Sequence, residues 1–107
     1  MIKIKLVCCV GMSTSILVNR MKKVAADRGL ETEISATSET ELVNDWAKNP
    51  ADVVLLGPQV RYMQKKIEER VNHSVPIGLI EMRTYGLMDG AKVLDQALKL
   101  YEEYYNK

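Results

Sequence analysis

Charge of one sign is scarce in this sequence. Fifteen Lys and Arg residues stand against 14 Asp and Glu, a formal net charge of +1. The basic residues are spread over several segments, so the chain offers no electrostatic footprint for nucleic acid and no Lys/Arg cluster for a membrane surface. Long apolar runs are missing too. The stretch Ile2–Val10 carries Lys3 and Lys5 and lacks the cleavage region of a signal peptide. The expected location is therefore the cytoplasm, without membrane insertion. Cysteine is limited to Cys8 and Cys9, side by side, and histidine to His73. Adjacent cysteines bridge poorly because their side chains diverge along an extended chain. In a reducing compartment they read as reactive or buried thiols rather than a structural disulfide. Two neighbouring cysteines and one distant histidine supply no tetrahedral zinc set, so neither a metal nor a cofactor is expected.

Linkers, repeats and low-complexity segments are also absent, and 107 residues are read as one domain, 1–107. An apolar fraction of 47% with 27% charged residues indicates a globular rather than a disordered chain.

What is present is an alternation. Four short apolar runs, "IKIKLV" (Ile2–Val7), "TEISA" (Thr32–Ala36), "DVVLLG" (Asp52–Gly57) and "VPIGLI" (Val75–Ile80), read as strands. The third is almost purely apolar, as a strand covered on both faces requires. Pro76 would remove a ladder hydrogen bond and assigns the fourth to a sheet edge. Helical spacing lies between them. From Thr14, the residues Leu17, Met21, Val24 and Ala25 form a stripe that Gly29 closes. "SETE" (Ser38–Glu41) is a capping box ahead of Leu42, Val43, Trp46 and Ala47, stopped by Asn49-Pro50. Pro58 opens a third helix with Val60, Met63, Ile67 and Val71 on its face. The last starts at Asp89-Gly90 and carries Leu94, Ala97, Leu98, Tyr101 and Tyr105.

The order β-α-β-α-β-α-β-α predicts an α/β fold: an open four-stranded parallel sheet, order 2-1-3-4, with helices on both faces, flavodoxin-like. Strands one and three are then central, and the crevice at their C-terminal ends is where such folds bind ligands. Three loops reach that end: "CCVGMSTS" (Cys8–Ser15), "GPQ" (Gly57–Gln59) and "MRTYGLMDG" (Met82–Gly90).

In the first loop the chain must reverse into a helix, and Gly11 permits the dihedrals this needs. Amides from Val10 to Ser15 would converge on one point, joined by the positive end of the helix, to make a site for a phosphate-sized anion. Met12 lies within the loop, and the hydroxyls of Ser13, Thr14 and Ser15 add donors or cap the helix. Cys8 starts the loop facing the same point, where converging amides favour thiolate over thiol. A nucleophile at a phosphate cradle suggests phosphoryl transfer through a phosphocysteine. The plainer reading makes the hydroxyls helix caps and the cysteine a small hydrophobe. Cys9 belongs to the loop, but strand alternation turns its side chain to the opposite face, toward the core. Gln59 and Tyr85 are candidates for lining the site, Met12 and Met88 for an apolar partner surface, and Met21 and Met63 for the core. His73 reads as a solvated turn residue.

"CCVGMSTS" resembles the active-site loop of the enzyme IIB components of the phosphoenolpyruvate-dependent sugar phosphotransferase system, lactose/cellobiose/chitobiose family, whose pattern runs Cys-x-x-Gly-Met-Ser-Thr-Ser. "ADVVLLGPQVRYM" (Ala51–Met63) and "YGLMDG" (Tyr85–Gly90) are similar to its second and third signatures. The resemblance implies that Cys8 accepts a phosphoryl group from a phosphohistidine of the partner IIA protein. Gly11 to Ser15 would cradle it, and it would pass to a β-glucoside-type sugar on the membrane permease IIC. It also implies a transient position at the inner face of the cell membrane, and "GMSTS" leans toward the cellobiose type.

Two other function classes compete. A low-molecular-weight tyrosine phosphatase shares this topology but needs Cys-x5-Arg, and the position of that arginine is Thr14 here. Its general-acid aspartate is also missing, because Asp89 before Gly90 reads as a helix cap. An arsenate reductase of the same fold fails for the same lack of arginine, and a thioredoxin-like role for lack of Cys-x-x-Cys. The third class is a non-catalytic anion-binding regulatory module with an inert Cys8.

Overall fold

The structure is a computed structural model that describes residues 1–8 and 12–105, with the side chains of Met12 and Ser13 left out. Four parallel strands pair in the order β2-β1-β3-β4, with β1 at Ile2–Val7, β2 at Thr32–Thr37, β3 at Val53–Leu56 and β4 at Ile77–Leu79. The registers bring Val7 opposite both Thr37 and Leu56, and Leu56 opposite Leu79. The sheet order is the one the sequence predicts.

Strand alternation builds two cores. Ile4, Leu6, Val53 and Leu55 turn to one face and pack with Leu17, Met21, Val93, Leu94 and Ala97. The latter come from α1 (Met12–Asp27) and α5 (Gly90–Tyr105). Val7, Val54 and Leu56 turn the other way, onto Leu42, Trp46, Ile67 and Val71. These flank α2 (Glu39–Asp45) and α3 (Gln64–Arg70). All four residues of β3 are buried, as its unbroken apolar run requires.

The helix punctuation follows from local chemistry. Gly29 takes φ +70°, and the bonds from Leu30 N to Ala25 O (2.9 Å) and from Gly29 N to Ala26 O (3.0 Å) close α1 in a Schellman motif. Ser38 Oγ accepts from the Glu41 amide (3.2 Å), while the Glu41 carboxylate accepts from the Thr37 hydroxyl (3.2 Å). Pro76 precedes edge strand β4, and its carbonyl accepts from Val54 N (3.1 Å).

Three expectations change. The helix expected from Pro58 begins instead as a 3-10 turn over Pro58–Met63, because buried Val60 leaves helical geometry (φ −120°, ψ 17°). Continuous α-helix starts only at Gln64. The second helix stops at Asp45, and the chain leaves it through a turn in which Asp45 O accepts from both Lys48 N and Asn49 N. The segment read as a loop from Met82 to Gly90 contains a short helix, α4 (Met82–Gly86). Five residues are too few to produce a helical period in sequence.

Candidate functional site

Cys8 follows directly on β1. Its amide extends the ladder toward β2 by donating to Thr37 O (3.2 Å), and the preceding carbonyl, Val7 O, accepts from Gly57 N (2.9 Å). The cysteine therefore stands between the ends of two neighbouring strands, at the switch point of the sheet. Its side chain turns to the α1/α5 face and is 4% exposed.

Gly57 sets the space available to that thiol. A Cβ there would come 3.0 Å from Cys8 Sγ and 3.2 Å from Gln59 Oε1. Its dihedrals (φ −65°, ψ 158°) are ordinary, so the position calls for glycine because of space and not because of conformation. Gln59 is exposed and flanks Gly57 beside the thiol. The sequence reading selected Gln59 and passed over Gly57. The available signal was a glycine ending an all-apolar strand, where close approach of a neighbour is a standard cause.

Thr14, in the first turn of α1, is 4% exposed, and its Oγ1 lies 3.1 Å from the hydroxyl of Tyr85, itself 7% exposed. Seventy-one residues apart in sequence, the two are joined because α4 leaves β4 at the same sheet edge. Ser15 points elsewhere, into an open groove between α1 and β2 that Asn19, Ser35 and Ala36 also line. Cys9, Val10 and Gly11 lie outside the described residues, as do the side chains of Met12 and Ser13. The first turn of the 16-residue α1 carries no carboxylate, so nothing acidic in that turn offsets the positive end of the helix.

The remaining candidates separate cleanly. Met88 is half-buried with φ +51° and packs against the α1/α5 core. Met21 is fully buried, and Met63 packs against the opposite core. His73 is an exposed turn residue (φ +53°) before β4, at the other end of the sheet from Cys8, and its carbonyl accepts from Tyr104 Oη (2.7 Å). Asp89 Oδ1 accepts from Lys92 N (3.1 Å), which is the geometry of a helix cap.

Among the described residues no three His, Cys, Asp or Glu side chains cluster closely enough to hold a metal ion. Nor is any described helix long and apolar enough to cross a membrane.

Residues 3–96 match the family model of the phosphotransferase-system lactose/cellobiose-specific IIB subunit. Among curated proteins, the chain is 44% identical over 101 residues to the cellobiose-specific EIIB component of Lactococcus lactis subsp. lactis (strain IL1403), covering 91% of this chain and 94% of that protein. It is 40% identical over 99 residues to the oligo-beta-mannoside-specific EIIB component of Bacillus subtilis (strain 168), covering 92% and 94%. It is 43% identical over 101 residues to the galactose-specific EIIB component of Lactococcus lactis subsp. cremoris (strain MG1363), covering 91% and 94%. Among solved structures, the cellobiose-specific phosphotransferase IIB component of Borrelia burgdorferi superposes with a TM-score of 0.77 at 40% identity, covering 95% of this chain and 93% of the other. A lactose-specific IIB domain from Streptococcus pneumoniae superposes at 0.81 over 94% and 97% but is only 16% identical, which is a likeness of fold alone.

Proposed function

The chain belongs to the phosphotransferase-system lactose/cellobiose-specific IIB family, and from that premise we propose that Cys8 is the residue that carries the phosphoryl group. Family membership makes the protein a phosphotransferase of sugar uptake. The observation that supports Cys8 is its place at the end of central strand β1, with its sulfur against Gly57 and the first turn of α1 following at once.

The proposed cycle has two displacements. The Cys8 thiolate attacks the phosphorus of a phosphohistidine on IIA; a P–S bond forms, the P–N bond breaks, and the departing imidazole takes a proton. Amides of the loop from Cys9 through Ser15 and the positive end of α1 stabilise the transferring oxygens, and the Thr14 hydroxyl adds a donor. A sugar hydroxyl on the permease IIC then displaces the thiolate and gives up its proton, so that the group leaves as a sugar phosphate. In this scheme the domain, 1–107, visits the inner face of the membrane only through IIC. The names of the relatives, specific for cellobiose, oligo-beta-mannoside and galactose, support a sugar of the β-glycoside type as the acceptor.

The missing loop arginine and the use of Asp89 as a cap favour a carrier over a phosphatase. Without an arginine clamp or a general acid, water attacks the phosphocysteine slowly. Exposed Tyr62, Met82 and Leu87 sit on elements leaving the same sheet edge and supply apolar area for a small, transient contact with IIA.

The test is intact-mass spectrometry after incubation with phosphoenolpyruvate, the general phosphotransfer proteins and a cellobiose-type IIA. Wild type gains one phosphoryl group that maps to the loop peptide, and Cys8→Ser gains none. Equal phosphorylation of both proteins would remove Cys8 from the role.

A further inference from the structure

We infer that Tyr85 is a positioning residue: its phenol holds Thr14 Oγ1 so that the Thr14 hydroxyl hydrogen is aimed at the phosphoryl group on Cys8. The inference rests on the carrier reading above and deepens it. The bond between Thr14 Oγ1 and Tyr85 Oη is 3.1 Å long and buried at both ends.

A threonine in a helix has a competing choice, because its hydroxyl can donate back to a carbonyl one turn earlier. Donation to such a carbonyl would commit the hydroxyl's one hydrogen to the backbone and leave none for a bound anion. In a phenol–alcohol pair the phenol is the stronger acid and so the better donor. With Tyr85 donating, Thr14 Oγ1 is occupied as an acceptor and its own hydrogen is available to another oxygen.

The corner that carries Tyr85 is itself fixed to α1. Arg20, six residues along from Thr14 on the same helix, donates to Leu87 O (3.4 Å) and Met88 O (3.1 Å). Gly90 abuts the backbone of Arg20 and Met21, where a Cβ would come within 2.8 Å. The corner that carries the phenol is thus tied to the same helix that carries Thr14.

The experiment is a double-mutant cycle on the rate of phosphoryl acceptance from phosphorylated IIA, with Tyr85→Phe made in wild-type, Thr14→Ser and Thr14→Val backgrounds. In wild type, Tyr85→Phe lowers the maximal rate about fivefold, the loss of one buried hydrogen bond, and leaves the half-saturating IIA concentration unchanged. The same factor persists with Thr14→Ser, which keeps the hydroxyl. It vanishes with Thr14→Val, which has none. A tyrosine hydroxyl that acts independently of Thr14 would lose the same factor in all three backgrounds, and that result overturns the proposal. So does an unchanged maximal rate in Tyr85→Phe. If the wild-type protein accepts no phosphoryl group, the carrier reading itself fails, and that is visible before any variant is compared.

Discussion

At the scale of single residues, the absence of a side chain at position 57 matters as much as the thiol it faces. A methyl group at Gly57 would stand 3.0 Å from Cys8 Sγ, inside normal contact, with Gln59 Oε1 at 3.2 Å on its other side. Gln59 is exposed and can swing away, whereas the buried Cys8 has to turn. Gly57→Ala is therefore expected to displace the sulfur by a few tenths of an ångström and to slow phosphoryl acceptance about tenfold, since sub-ångström misplacement of a reacting atom has large rate effects. Rapid-quench measurement at saturating IIA checks this, and the variant should still fold because position 57 has ordinary dihedrals. That the loop after Cys8, the turn at Gly57 and the segment carrying Tyr85 leave the same sheet edge was legible beforehand, from the order of the elements. The space kept by Gly57 was not, because nothing in a linear pattern says which neighbour a glycine makes room for. Nor does a linear pattern show that Met88, a loop methionine, lies partly against the α1/α5 core with a left-handed backbone.

At the scale of elements, strands and long helices were written in the sequence, and the short pieces were not. A six-residue strand and a 16-residue helix repeat their apolar period often enough to be recognised. The α4 helix has a single buried residue, Tyr85, so it has no period at all. How closely the long elements approach is set by glycines, and the two cases differ in what they meet. At Gly90 a Cβ would strike the backbone of α1 at Arg20 and Met21, both 2.8 Å away, so the helix itself would have to shift. At Gly78 the nearest atom, at 2.5 Å, is Leu100 Cδ1, the end of a side chain that can rotate. Gly90→Ala should therefore cost about 3 kcal/mol and Gly78→Ala about 1 kcal/mol, within the usual range for overpacking. Denaturant unfolding of the two variants gives the comparison. Equal losses would mean that α1 and α5 slide past each other freely.

At the scale of the whole molecule, two of the described groups act in opposite directions on the alkaline side of the stability profile. Lys5 is buried on central strand β1 and donates through Nζ to Asn49 O. Burial lowers its pKa, with a further push from Lys3 that Asp45 and Glu33 partly oppose. The native state then holds fewer protons than the unfolded chain between the lowered value and the ordinary lysine pKa of about 10.4, so stability rises with pH through that window. Tyr105, whose hydroxyl donates to Asp52 O (3.0 Å), behaves the other way. Burial raises its pKa, helped by Asp52, Tyr104 and Tyr101. Its contribution is intact below the ordinary tyrosine pKa of about 10 and is lost as pH climbs through the raised value. Lys5→Met keeps the apolar stem but removes the titrating amine, so only the falling limb remains. Thermal melts between about pH 8 and 11 should show Tm of Lys5→Met declining more steeply with pH than that of wild type, whatever the offset at neutral pH. Parallel curves would mean that the Lys5 amine is solvated in the native state. Lys5 and Tyr105 bond to Asn49 and Asp52, which precede β3 at the end of the sheet away from Cys8, so the rate of phosphoryl acceptance, corrected for the folded fraction, should not follow this profile.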